Sequence, residues 1–479
     1  MLDSSKKLFR WGPIDSALLP LAYPMLASFD MMHELFGICW PESLIIYDHD
    51  KALWILENDA VGSTGQSFME KVILPDRERQ RFYKVWDERA EKLSGIEKEI
   101  EKADLEKMSD SELGGLVKRW NAAYLAFWAV GMTAELANYP LEARLKNLLK
   151  PYFEDERDLN EAFATLSTPD EMSFYKKEES ELIEVVLSKD RDKALAAHAS
   201  EYFWIYNNYL EAKVLGEDYF AGEIAHTTAE DAQAFLREMK DYKERVTKDK
   251  AEIVEKLGLS EDERKSVLLL NDFIIFQDVR KRYHLIATHW LEVLLGEISR
   301  RCGISVRDLK WLLPDEMKNA ARGEEVSDTV EARKHLTVFS IKKGKTESFV
   351  RNKASKIEKE FNKADFEKSV NLQGTVACTG KHRYFRGVAK VVQSPKEGEK
   401  LKAGEILVTT MTTPDYVACI KRAGAIITDI GGVTCHAAVV SREYGIPCIV
   451  GTENATKVIK DGDILELHNL RGTVKIVEG

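Results

Sequence analysis

The chain has 479 residues, 44% of them hydrophobic and 31% charged, with a formal net charge of −11, a composition that fits a globular protein of roughly two to four domains. No apolar run reaches membrane-spanning length, and the acidic balance argues against a general nucleic-acid binder. The opening "MLDSSKKLFRWGPIDSALL" lacks the apolar core and cleavage site of a secretory signal, so a cytoplasmic location with no membrane or nucleic-acid partner is expected.

In chain order, "CWPESLIIYDHDKALWILEN" (Cys39 to Asn58) reads as strand pieces around a tight turn at Asp48-His49-Asp50, a small sheet. His49 between two aspartates has no further ligand at metal spacing, and the turn is the expected role. "GSTGQS" (Gly62 to Ser67) lacks the lysine and the strand-to-helix context of a phosphate loop. Phe82, Val85 and Trp86 recur at helical spacing. Ser109 with Glu112, and Ser260 with Glu263, form two capping boxes that mark helix starts. Further helices are expected over "ALAAHASEYFWIYNNYLEAKVL" and "LLLNDFIIFQDVRKRYHLIATHWLEVLLGEIS". The basic clusters "VRKRYH" (Val279 to His284) and "KKGK" (Lys342 to Lys345) suit a solvated face as well as a phosphate site. Residues 1–363 thus read as a mostly helical region without a repeat period.

"KASKIEKEFNKADFEKSVNLQ" (Lys353 to Gln373) is rich in charge and marks the change to a β-rich tail. The spacing of Ile357 and Phe361 fits a docked helix, and a hinge is expected in 364–373, with its flexing part in Glu367 to Gly374. Residues 374–479 form the second domain.

In that tail, "TDIGGVTCHAAVV" places His436 after a strand (Ala425-Ile426-Ile427), a Gly431-Gly432 loop and Thr434. It stands directly before a helix-sized segment closed by Gly445 and Pro447. Free backbone N–H groups and the helix dipole favour an anion at such a spot, and the glycines allow close approach. An imidazole there can attack phosphorus and form a phosphoramidate held by Gly431, Gly432 and Thr434. An isolated histidine in a turn is the alternative. The six cysteines (39, 302, 378, 419, 435 and 448) include no CxxC pair, so no disulfide framework or metal site is expected, and Cys435 suits a small packing residue.

Three blocks, "GEILVTTMTTPDYV" (Gly404 to Val417), "AGAIITDIGGVTCHAAVVSREYGIPCIVGTENAT" (Ala423 to Thr456) and "DGDILEL" (Asp461 to Leu467), carry a resemblance. From Gly374 to Gly479 the chain resembles the mobile phosphohistidine domain of the phosphoenolpyruvate-utilising enzymes: phosphoenolpyruvate synthase, pyruvate phosphate dikinase, the first enzyme of the sugar phosphotransferase system and rifampicin phosphotransferase. The resemblance implies a swivelling β/α domain with the phosphorylated histidine at His436. Cys378-Thr379-Gly380, followed by Lys381-His382-Arg383, departs from the Ser-Pro-Gly that many members carry at the domain entrance.

The helical part is similar, more weakly, to the middle region of phosphoenolpyruvate synthase-like proteins, through "HASEYFWIYNNY" (His198 to Tyr209), "FQDVRKRYH" (Phe276 to His284) and "SRRCGISVRDLKWLLPDEM" (Ser299 to Met317). His198 and Tyr202 share a helix face, and Arg280 with Lys281 would neutralise a phosphoryl group at an acceptor site. Interhelical packing and ion pairs are the alternative for each.

The expected fold is therefore multidomain α+β, a helical region followed by a swivelling β/α domain. Neither an ATP-grasp domain nor a phosphoenolpyruvate-binding barrel is evident. By resemblance to phenylphosphate synthase, the expectation is a phosphotransferase subunit with no cofactor of its own. ATP and Mg would be held by a separate ATP-grasp partner, or phosphoenolpyruvate would be the donor, and the acceptor would be a small molecule. The competing class is a regulatory module phosphorylated on histidine as a signal.

Overall fold

The computed structural model describes residues 2–342, 345–361, 371–380 and 384–477, which fall into two compact units. The first comprises 2–140, 207–212 and 283–361. Its sheet contains β1 (Leu8–Asp15), β2 (Ser43–Asp48), β3 (Lys51–Glu57), β4 (Leu336–Lys342) and β5 (Lys345–Val350) in the order β1-β3-β2-β4-β5, antiparallel throughout. The turn expected at Asp48-His49-Asp50 joins β2 to β3, with His49 in the left-handed region at φ 51°. The small sheet expected near 39–58 is thus real but incomplete. β4 aligns Ile341 with Ser43 and Leu336 with Asp48, so three of the five strands come from segments grouped above with the helices. Residues 343 and 344 of "KKGK" lie outside the described residues.

"GSTGQS" lies within helix α1 (Asn58–Phe68), so it forms no phosphate loop. Helix α2 (Asp76–Lys102) buries Phe82, Trp86, Ala90 and Leu93 along one stripe, the 3.6-residue period made physical. Helix α3 (Asp110–Gly131) starts at the Ser109 box: Ser109 N–H donates to Glu112 Oε2 at 2.8 Å, and Glu112 N–H to Ser109 Oγ at 3.3 Å. It supplies the fully buried Trp120, Tyr124, Phe127 and Trp128.

The second unit comprises 141–206, 213–282 and 371–477. Residues grouped in one helical region by sequence are therefore shared between two units. Helix α4 (Thr133–Leu149) brings its C-terminal part here, followed by α5 (Phe174–Val186) and α6 (Arg191–Tyr202). The helix expected through residue 215 ends at Tyr202. Beyond it the Asn208 side chain accepts from the N–H groups of Leu210 and Glu211, at 2.8 and 3.0 Å, a local turn that competes with a helical ladder. The second capping box holds as well, Ser260 N–H to Glu263 Oε2 at 2.7 Å, and opens α7 (Glu261–Cys302), whose residues to Arg282 lie in this unit.

The C-terminal part is an eight-stranded sheet of β6 (Asn371–Gln373), β7 (Thr375–Cys378), β8 (Tyr384–Val391), β9 (Ile406–Thr409), β10 (Ala425–Thr428), β11 (Cys448–Val450), β12 (Ile464–His468) and β13 (Thr473–Val477). Its order is β6-β13-β12-β8-β9-β10-β11-β7. The central run β8-β9-β10-β11 is parallel, and helix α8 (His436–Tyr444) crosses over between β10 and β11. Ala437, Ala438 and Val440 of α8 pack with Leu407, Ile426, Cys448 and Val450. The expected order, helices first and a β/α domain last, is the observed one. Residues 364–370 of the expected hinge and 381–383 of the entry strand lie outside the described residues, while 371–373 form β6, paired with β13. Among the described residues no helix is long and apolar enough to cross a membrane.

Candidate functional site

β10 ends at Thr428 because the sheet ends there, and the chain must turn sharply to enter α8. Gly431 makes that turn at φ 126°, where a Cβ would lie 2.7 Å from Cys435 Sγ. His436 is then the first residue of α8, and its N-cap, Cys435, offers no side-chain hydrogen bond. The N–H groups of a helix's first turn have no acceptor within the helix and so favour an anion.

The imidazole is held on one side only. His436 Nδ1 lies 2.9 Å from Thr412 Oγ1, in the loop after β9. Nε2 is buried and has no hydrogen-bond partner among the described residues. The Tyr175 ring of α5 meets the imidazole edge to face, centroids 5.8 Å apart. Burial, aided by the Lys281 ammonium, holds His436 well below the ordinary histidine value of 6.5, so the ring is neutral at pH 7. Cys435 is no rival nucleophile, since burial pushes its thiol up to about 11.

A carboxylate occupies the glycine loop. Thr434 donates its N–H (3.2 Å) and its hydroxyl (3.0 Å) to Glu142 Oε1. A Cβ on Gly432 would stand 2.6 Å from both Glu142 oxygens, which explains the second glycine. Burial lifts Glu142 to about 7 against the opposing pull of Thr434, Val433 N–H and Arg442. Arg442, six residues along α8, braces the loop by donating to the carbonyls of Val433 and Ala377. Nearby, Phe174 N–H donates to Asp278 Oδ2 at 2.9 Å, and burial raises Asp278 to about 6.

The sequence candidates divide accordingly. Gly431, Gly432, Thr434 and His436 form one site, with Lys281 near enough to act on the imidazole electrostatically. Arg280 is buried on α7. His198 and Tyr202 turn to carboxylates of α5: His198 Nε2 to Glu178 at 3.1 Å, Tyr202 hydroxyl to Glu181 at 3.0 Å. Those contacts are the ion-pair and packing alternative made explicit. Glu142, Thr412, Tyr175 and Arg442 were not singled out by sequence. Thr412 lies inside a quoted block, but Glu142 lies in a helix with no motif around it.

Residues 401–472 match the family described as PEP-utilising enzyme, mobile domain. The chain is 36% identical over 231 residues to a probable phosphoenolpyruvate synthase of Archaeoglobus fulgidus, covering 44% of this chain and 29% of that protein. It is 53% identical over 96 residues to a probable phosphoenolpyruvate synthase of Methanothermobacter thermautotrophicus (19% of this chain, 14% of that protein). It is 50% identical over 108 residues to the phosphoenolpyruvate synthase of Pyrococcus furiosus (22% of this chain, 13% of that protein). The chain therefore spans less than a third of the length of each of these relatives.

Proposed function

Because residues 401–472 carry the mobile domain of the phosphoenolpyruvate-utilising enzymes, we propose that this chain is a phosphotransferase subunit that carries a phosphoryl group on His436. The observation behind this reading is the division of labour between the two ring nitrogens. Thr412 engages Nδ1, and Nε2 is left with nothing to bond among the described residues. With Nδ1–H donating to Thr412 Oγ1, Nε2 holds the lone pair in a neutral ring. That pair forms the N–P bond while the bond from phosphorus to the donor's leaving atom breaks, its electrons departing with that atom. In the second half the N–P bond breaks in turn, an acceptor oxygen takes the phosphoryl group, and the acceptor's proton passes to solvent.

Lys281, the α8 N-terminus and the donors of Thr434 offset the added charge. The donor is a separate ATP-grasp protein using ATP and Mg, or phosphoenolpyruvate. The acceptor is a small molecule received by the helical segments, with Lys281 and Arg280 the cations on that side.

Exposure of the protein to labelled phosphoenolpyruvate, to ATP with Mg, and to potassium phosphoramidate tests this. The label is expected to be acid-labile and base-stable, absent with ATP alone and lost in His436→Ala. An acid-stable label, or one that persists in that variant, would overturn the assignment.

A further inference from the structure

Two acceptors claim one set of donors. If Thr434 holds the phosphoryl group of His436, as proposed above, it does so with its N–H and hydroxyl, and in this structure both point at Glu142 Oε1. The loop is shaped to this carboxylate, since any side chain larger than hydrogen at Gly432 would collide with both of its oxygens. Glu142 is presented by α4, remote in sequence from the loop it fills, and it is the carboxylate among the described residues that bonds to Thr434.

We infer that Glu142 is an internal occupant of the phosphoryl site, seated on the histidine loop of the uncharged protein and displaced when His436 is phosphorylated. This rests on the phosphohistidine reading above. A dianionic phosphoryl group and a carboxylate repel one another at hydrogen-bonding range, and Thr434 has one N–H and one hydroxyl proton to give. Charging the histidine therefore breaks the Glu142 contact. Within this unit that contact belongs to a set joining the preceding helical segments to the C-terminal β/α part, with Ser173 on Glu443, Glu179 on Lys421 and Tyr444, and Asn160 on the Leu470 carbonyl. The loop is thereby coupled to the packing of α4 and α5: loaded, it repels the helical surface, and empty, it accepts it.

Potassium phosphoramidate serves as a probe that needs no partner. The Nε2 lone pair forms the new N–P bond as the P–N bond of the reagent breaks, and the leaving electron pair departs as ammonia after taking a proton from water. Initial labelling of the full chain is compared with Glu142→Ala and with the near-isosteric Glu142→Gln. We expect Glu142→Ala to label at least about tenfold faster. Glu142→Gln, which still fills the loop but carries no charge, is expected to fall between it and the parent. Hydrogen exchange supplies a second measurement: peptides containing Glu142 and Thr434 are expected to gain exchange together when the parent protein is labelled. Labelling on His436 at equal rates in all three proteins, with no change in exchange at Glu142, would overturn the inference while leaving the histidine assignment standing. An absence of label on His436 in all three would instead remove the assignment on which the inference rests.

Discussion

Ser173, the N-cap of α5, gives both its backbone N–H and its hydroxyl to the carboxylate of Glu443, each at 2.8 Å. Burial nevertheless lifts Glu443 to about 7 from the ordinary 4.5, so desolvation outweighs both bonds. Glu142, in the same unit, is raised to about 7 as well.

A pH dependence of stability follows from these two groups. Between about pH 4.5 and 7 the folded protein holds protons that the unfolded chain has released, so stability falls as pH rises through that window. We expect urea denaturation of the second unit to show a loss of roughly 2–3 kcal/mol per group between pH 5 and 8. Glu443→Gln should flatten part of the slope. A stability that rises across this range would contradict the direction.

Thr412→Val removes the partner of Nδ1 at constant volume. The expected cost is about 1 kcal/mol, roughly a fivefold slower phosphorylation of His436, with Thr412→Ser close to the parent. Initial rates with phosphoramidate would read this.

Lys281→Gln deletes the cation that helps keep the imidazole neutral. The titration of His436, followed by NMR of the ring protons, is expected to move to higher pH, and the acid limb of the labelling profile should move with it. Two profiles that superimpose would show that burial alone sets the value.

Gly432→Ala drives a methyl group into the Glu142 carboxylate. A loss of about 1–3 kcal/mol is expected in the parent background. The loss should shrink when Glu142→Ala is already present, since the two positions share one volume. Additive losses in the double-mutant cycle would show that the methyl group meets something else.

What the sequence made legible was local. The boxes at Ser109 and Ser260 and the turn at His49 involve residues within a few positions of one another, and each formed as its chemistry required. The His436 loop was readable for the same reason, because glycine, hydroxyl, histidine and helix are consecutive. β4 was missed because its pairing with β2 is decided by a partner almost three hundred residues away, and β5 was missed with it because it adds to the sheet through β4. Glu142 lies 292 residues from Thr434 and belongs to a helix whose own pattern gives no reason to notice it. The nearest local trace of it was Gly432, a glycine without positive φ that makes sense only once the carboxylate is in place.

The protonated thiol of Cys435 has a further consequence, in redox chemistry. With its thiol pushed up to about 11, only about one molecule in ten thousand carries a thiolate at pH 7. Oxidants and alkylating agents react through the thiolate, so the sulfur next to the histidine is a poor target. Burial likewise raises Cys378 and Cys448. Cys302, by contrast, is exposed at the end of α7. Iodoacetamide under native conditions should therefore mark Cys302 first and leave the histidine loop intact, so that oxidative damage to the chain begins away from His436.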